Sequence, residues 1–320
     1  MMLSRVADSL YWMSRHLERA EHAARLIDVD LQLRLDQSPD SSIEHGRRLL
    51  EALQAGEPRS KNLEPAEVTH ILAFDRSNYS SIVSCIANAR ENLRHVREQC
   101  SSDMWEQLNR LYLHVVSSPP ENAWMQQSHN FFRSVQEGAC LFQGITDSTM
   151  SHGEGWQYIQ LGRFIERVDT IAALVGAHFN HLQQPPDEVV EGSEYLEWVG
   201  LLKSCAAFEA YCKAYSAELR PRRVAEFLLL DRDLPHSVRF SVEMVHTSLR
   251  HIEELTNRKA ELAMRLTGRL RAMLNFTPVD EIIAEGAHSY LANIRKQSGQ
   301  ANQAIYQIYF DYAVESALAS

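Results

Sequence analysis

The chain has few cysteines, no long hydrophobic run and hardly any strand signal, and each shortage excludes a class of protein. Its five cysteines are odd in number and lack a Cys-x-x-Cys pair, which is typical of free thiols in a reducing compartment and offers no zinc site. No apolar run approaches the roughly 18–20 residues that a membrane span needs. Charged residues within the N-terminal apolar pattern indicate a helix there, not a signal peptide. We therefore expect a cytoplasmic protein that does not enter the membrane.

Sequence signatures of known enzymes are missing as well. The chain contains no Walker-type phosphate loop, no G-x-G-x-x-G, no G-x-S-x-G and no H-E-x-x-H, so we expect no cofactor. The balance of 32 basic and 42 acidic residues gives a net charge of −10, which argues against nucleic acid as the main partner. A small anionic ligand is still compatible with this charge, because the arginines are locally clustered.

Helical periodicity with capping residues runs through most of the chain, which predicts an all-α fold, a large helical bundle. Glycine-containing residues 143–147 predict a loop, and a long helix is predicted near 278–317. No low-complexity linker divides the sequence. We therefore expect a single domain over the whole chain, with two related halves at about 1–150 and 151–320.

The most informative stretch is 10–21, because a variant of it returns at 158–169. Both copies have the order small residue, Arg, any residue, aliphatic residue, Glu, Arg, aliphatic residue, acidic residue. At about 100° per residue, the charged residues of each copy fall on one side of a helix. Aromatic and aliphatic residues share that side, so both helices are apolar almost all round. Their ionised groups are therefore expected to face a partner, a ligand or each other.

Three interpretations of this repeated motif are open. In the first, glutamates act as acid/base groups and arginines bind a carboxylate or phosphate. In the second, the charges form a buried ion network that fixes helix packing. The third, a di-metal site, is disfavoured because there is no Glu-x-x-His pair and His22 becomes Thr170 in the second copy, so we expect no metal. The candidate catalytic residues are Glu18 and Glu166, and the candidate binding residues are Arg15, Arg19, Glu21, Arg163, Arg167 and Asp169.

A second candidate site is the turn within residues 227–239, where an apolar helix end runs into Asp-Arg-Asp and Pro235 starts a new helix. The start of that helix would favour an anion, whereas an Asp-capped turn explains the same residues without a ligand. If the turn belongs to the motif site, the side chain of Asp231 or Asp233 is expected to reach Arg15 or Arg163. The candidate binding residues here are Asp231, Arg232, Asp233, Ser237 and Arg239.

Four segments together resemble the bacterial alpha-E domain family, in the family's order and over nearly the whole chain. The resemblance implies an all-helical domain that is typically encoded beside circularly permuted ATP-grasp proteins, which resemble carboxylate–amine ligases, and beside transglutaminase-like proteases. It implies a component of a peptide-forming or peptide-tagging system, with such a ligase as partner and a peptide or amino acid as substrate. At His236 this chain departs from the arginine usual in the family. The segments are 2–21, 89–92, 162–167 and 227–237.

These interpretations make structural predictions that differ. Because the motif repeats, we predict that the helices around Glu18 and Glu166 pack against each other and that their charged sides converge in one polar cluster. An open, water-accessible pocket containing both glutamates would favour catalysis or substrate binding. Complete mutual pairing in a closed core would favour a non-catalytic scaffold for the ligase.

Overall fold

The structure is a computed structural model that describes residues 2–34, 39–54, 64–118, 128–180 and 186–311. Within these ranges it contains helices and no β-strand, which confirms the predicted all-α class. The α-helices are α1 Ser4–Arg34, α2 Pro39–Ala52, α3 Pro65–Ala73, α4 Ile82–His95, α5 Ser102–Val116, α6 Ser128–Thr149, α7 Glu154–Asn180, α8 Gly192–Ser204, α9 Phe208–Tyr215, α10 Pro221–Leu230, α11 Val238–Thr256, α12 Glu261–Phe276, α13 Val279–Glu285 and α14 Ala287–Tyr309.

Local sequence sets many of these helix boundaries. The hydroxyls of Ser81, Ser101 and Ser237 each accept a hydrogen bond from a backbone N–H in the first turn of the helix that follows, which satisfies a donor that has no partner within the helix. At the other end, α11 stops where Asn257 adopts the left-handed conformation with φ of 56°. Asparagine tolerates that conformation better than most residues.

Two helix predictions need correction. Residues 143–147 are not a loop but part of α6, which continues through Gly138 and Gly144. A Cβ atom at Gly138 would lie 2.8 Å from Leu111, so this glycine permits close packing against α5 and does not end the helix. The helix predicted at 278–317 is divided at Gly286, where φ is 94°, and its last residues lie outside the described ranges.

The two motif helices form the centre of the bundle. α1 packs against α4, α6 and α7, and α7 packs in turn against α11 and α14. Most side chains of both helices are consequently buried, and the charged residues Glu18, Glu21, Glu166 and Arg167 are among them. Burial on most sides agrees with the apolar residues that the sequence places almost all round these helices. Among the described helices, none is long and apolar enough to cross a membrane.

Candidate functional site

The two copies of the motif cross where each has its small residue. Ser14 of α1 donates a hydrogen bond from Oγ to the backbone carbonyl of Ile159 on α7, at 2.7 Å. On the other side of the crossing, Gly162 of α7 lies so close to α1 that a Cβ atom there would overlap the carbonyl oxygen of Tyr11. A residue without a side chain is therefore required at this contact. The close approach brings the charged residues that follow Ser14 and Gly162 together.

Glu166 of α7 is held by two arginines of α1. The Nε of Arg15 donates to Oε2 at 2.8 Å, and the Nε of Arg19 donates to Oε1 at 2.6 Å. Arg15 also donates through Nη1 to Oδ1 of Asn302 on α14, at 3.2 Å, and its guanidinium carbon lies 4.6 Å from the ring centroid of Trp12. Glu166 is 2% exposed, so its carboxylate is fully engaged in the protein interior.

Glu18 of α1 is held in the reciprocal way by α7. Arg167 donates to both carboxylate oxygens, from Nε at 2.5 Å and from Nη2 at 2.9 Å. The Nε of Arg163 lies 3.6 Å from Oε2 of the same carboxylate, an ion pair without a hydrogen bond. Gln143 of α6 contributes a long hydrogen bond to Oε2 at 3.4 Å. Each glutamate is thus paired with the arginines of the other copy, which confirms the predicted convergence of the two charged sides.

The charges of this cluster keep both carboxyl groups ionised. Burial alone would raise the pKa of Glu166, but the guanidinium groups of Arg15 and Arg19 outweigh it and lower the pKa to about 2. The pKa of Glu18 is lowered for the same reason, with Arg167 as the strongest favourable charge. Four guanidinium groups face two carboxylates here, so the cluster carries an excess of positive charge.

The acidic residues at the end of each copy lie beside this cluster in separate pairs. Glu21 pairs with Arg25, one turn further along α1. Asp169 accepts hydrogen bonds from Gln54 at 2.9 Å and from Arg295 at 3.0 Å. The structure therefore brings together six of the predicted residues and places Glu21 and Asp169 outside that group. The six are Arg15, Glu18, Arg19, Arg163, Glu166 and Arg167.

The Asp231–Ser237 turn is closed by its own hydrogen bonds. Oδ1 of Asp231 accepts from the backbone N–H groups of Asp233 at 2.8 Å and of Leu234 at 2.7 Å. Ser237 donates from Oγ to the carbonyl of Asp231 at 2.6 Å. The expected contact of Asp231 or Asp233 with a motif arginine is not found among the described residues, because the Asp231 carboxylate serves the turn and Asp233 is exposed.

The backbone of the turn nevertheless reaches the cluster. Arg167 donates from Nη1 to the carbonyl oxygen of Pro235 at 3.0 Å, and this places His236 beside the motif arginines. The two predicted basic residues of the turn are elsewhere. Arg232 is exposed, and Arg239 donates to the carbonyl of Leu230 at 3.1 Å.

Sequence reasoning did not identify two polar residues that complete the cluster. Asn302 comes from α14 and Gln143 from α6, and neither lies in a repeated or charged pattern that would distinguish it from a surface amide. Among the described residues, no three His, Cys, Asp or Glu side chains are grouped in a way that would hold a metal ion.

Each motif helix contributes one Glu-Arg dipeptide to the ion cluster. A family model that matches residues 2–310 is described as a predicted alpha-helical domain with a conserved ER motif. The chain belongs to the Alpha-E family. Its two Glu-Arg dipeptides, at 18–19 and 166–167, are the ones that interlock at the helix crossing.

Sequences similar to this chain occur in mycobacteria. An uncharacterised protein of Mycobacterium bovis and one of Mycobacterium tuberculosis are each 24% identical to this chain over 317 aligned residues, which cover 91% of the chain. The alignment covers 34% of each relative, so the Alpha-E chain spans about one third of their length. No solved structure matches the fold.

Proposed function

We propose that this chain is a non-catalytic helical scaffold that binds a circularly permuted ATP-grasp ligase and supports a peptide-forming or peptide-tagging reaction. The observation that carries the proposal is the reciprocal burial of Glu18 and Glu166. Each is 2% exposed and each is enclosed by two arginines of the opposite motif helix.

These glutamates are poorly suited to proton transfer. A general acid or base must come within hydrogen-bond reach of the substrate, and it works best when its pKa lies near the operating pH. The pKa of Glu166 is lowered to about 2 by Arg15 and Arg19, which overcome the opposing effect of burial. Its carboxylate oxygens accept hydrogen bonds from those arginines at 2.6 and 2.8 Å. A group so placed orients two helices instead of reacting.

The choice of partner rests on the family resemblance, which associates such chains with ATP-grasp ligases that act on peptides or amino acids. The length of the mycobacterial relatives agrees with a partner-binding role. In them the matching region occupies 34% of the protein, so it lies beside a larger amount of other polypeptide. A rigid helical unit without its own reacting groups is suited to position such a neighbour.

Co-purification with a circularly permuted ATP-grasp ligase would test the proposal. The complex and its products are measured by mass spectrometry with the wild-type chain, with Glu166→Gln and with Glu91→Gln as control. Glu91 is an exposed glutamate that pairs with Arg94. At a temperature where all three chains are folded, we expect each to bind the ligase and support the same product. Loss of product with Glu166→Gln in an intact complex would show that the cluster is catalytic, and absence of a complex would refute the scaffold.

A further inference from the structure

The arginines around Glu166 and those around Glu18 differ in how completely their N–H groups find hydrogen-bond acceptors. Around Glu166, both arginines donate direct hydrogen bonds at 2.6 and 2.8 Å. Around Glu18, Arg167 occupies both carboxylate oxygens, and the Nε of Arg163 is left 3.6 Å from the nearer oxygen. That Nε is buried and has no hydrogen-bond acceptor among the described residues. The half around Glu18 therefore holds a cationic donor that its own carboxylate does not satisfy.

A second buried polar atom without a hydrogen-bond partner lies on the same side. His22 follows Glu18 by one turn of α1 and is 3% exposed, and its Nε2 is buried without a hydrogen-bond partner among the described residues. At the equivalent position of the second copy, Thr170 donates to the carbonyl of Arg167 at 3.3 Å. A buried polar atom without a partner is costly, and at this position the second copy of the motif does not leave one.

A third polar side chain arrives from the turn before α11. His236 is half-buried, and it lies within electrostatic range of His22 and of the charged groups of Arg167, Arg25 and Arg163. Arg167 and Arg25 are already paired, with Glu18 and Glu21 respectively. Arg163 is therefore the least closely paired cation of this half, with its Nε 3.6 Å from Glu18 and the carboxylates of Asp147 and Glu21 within electrostatic range.

The outer part of the Arg163 side chain is exposed to solvent beside α6, although its Nε is buried. The side chain of Arg163 is 19% exposed to solvent. Gln143 is half-buried, and Cys140, whose thiol is within range of the charge of Arg163, is exposed. A small ligand would therefore approach Arg163 along α6 without separating the two motif helices.

We propose that Arg163, His22 and His236 bind a small oxyanion, the carboxylate or phosphate group of a ligand, between α1, α7 and the turn before α11. The Nε edge of a guanidinium is suited to an oxyanion, and a neutral imidazole donates through one ring nitrogen. Repulsion from Glu18 is weakened because Arg167 neutralises that carboxylate through two hydrogen bonds. This site is additional to the scaffold function and does not depend on the ligase.

Thermal unfolding with inorganic phosphate or with acetate would test the site directly. Ionic strength is held constant with sodium chloride, so that a general salt effect is the same in every sample. A specific ligand raises the unfolding midpoint in a saturable way. We expect stabilisation of the wild-type chain by at least one of the two anions at millimolar concentration. A response to phosphate alone identifies a phosphate site, a response to acetate alone identifies a carboxylate site, and a response to neither overturns the proposal.

Two variants locate the effect. Arg163→Gln is expected to raise the dissociation constant of the anion about tenfold or more, because a charged hydrogen bond is lost. Arg133→Gln makes the same charge change at a residue that is 65% exposed and paired with Glu137, and it should bind as the wild type does. An equal response in Arg163→Gln and Arg133→Gln would overturn the assignment.

A second variant keeps the test valid if Arg163→Gln does not fold. His22→Thr introduces the residue that the second copy has at this position, and it should also weaken anion binding. In addition, the Nε–H signal of Arg163 in a nitrogen-15 NMR spectrum should shift as the anion is added to the wild-type chain. An unchanged Arg163 signal together with unchanged binding in His22→Thr would refute the site.

Discussion

Replacing Glu166 by glutamine removes the charge that holds α1 against α7 while it keeps the shape of the side chain. In the wild type, two carboxylate oxygens accept from the Nε groups of Arg15 and Arg19. A glutamine offers one acceptor oxygen, and its amide group presents hydrogens to the other arginine. Glu166→Gln therefore leaves two guanidinium groups in the interior with one hydrogen bond fewer and no opposing charge.

Two routes give a similar magnitude for the loss. Removing one partner of a buried ion pair typically costs about 3–5 kcal/mol. The pKa of the Glu166 carboxyl is lowered from 4.5 to about 2 by the neighbouring arginines, against the effect of burial, which corresponds to about 3 kcal/mol. For a chain of this size, a loss of about 3–5 kcal/mol lowers the unfolding midpoint by roughly 5–10 °C.

Thermal unfolding followed by circular dichroism at neutral pH measures this loss. The control is Glu91→Gln, because Glu91 is 45% exposed and pairs with Arg94 on its own helix. An exposed pair contributes at most about 1 kcal/mol, so the control should unfold almost as the wild type does. If Glu166→Gln unfolds at the same temperature as Glu91→Gln, the cluster does not fix the packing of α1 and α7.

The stability of the wild-type chain should also depend on pH in a way that Glu166→Gln does not share. The pKa of Glu166 is lower in the folded chain than in the unfolded chain, so its contribution to stability is complete above about pH 4.5 and is lost as the pH falls toward 2. Wild-type stability should therefore decrease more steeply over that interval than the stability of Glu166→Gln. Parallel acid-unfolding curves would contradict this.

Three further predictions concern the helix crossing and His22. Gly162→Ala should destabilise the chain by about 3 kcal/mol or more in urea unfolding, because the added Cβ overlaps the backbone of α1. Gly144→Ala, with no atom within 4 Å of its Cβ, should instead stabilise α6 by up to about 1 kcal/mol, and equal effects would disprove the steric argument. Ser14→Ala should cost about 1 kcal/mol by loss of the hydrogen bond to Ile159, and no loss would show that the bond is dispensable. Burial lowers the pKa of His22 to about 4, so wild-type stability should fall as the pH drops from about 6.5 to 4, and an equal fall in His22→Thr would exclude this histidine as the cause.

The pattern of the repeated motif was sufficient to predict α1, α7 and their contact. Ionised residues on helices that are apolar nearly all round have to be neutralised by another buried element, and the second copy of the motif was the obvious candidate. Which arginine bonds to which glutamate was not predictable, because it depends on the crossing point set by Ser14 and Gly162.

Other features depend on tertiary packing that the sequence does not encode locally. Asn302 and Gln143 reach the cluster from helices far along the chain, and nothing in their neighbourhoods distinguishes them. Residues 143–147 were predicted to form a loop, yet α6 continues through Gly144 as it does through Gly138. Glycine weakens a helix by only about 1 kcal/mol, and Gly138 gains close packing against Leu111. The carboxylate of Asp231 was expected to face the arginines, but the amides of its own turn are nearer.

The reciprocal pairing of α1 with α7 has the pattern of an isologous interface, in which each side offers the same set of donors and acceptors to the other. Each motif helix carries a glutamate and two arginines, and the glutamate of each helix forms ion pairs with the two arginines of the other. The first half of one molecule would thus make the same ion pairs with the second half of another molecule as it makes with its own. Exchange of halves between two chains would preserve these ion pairs, so the cluster by itself does not distinguish a domain-swapped dimer from the monomer.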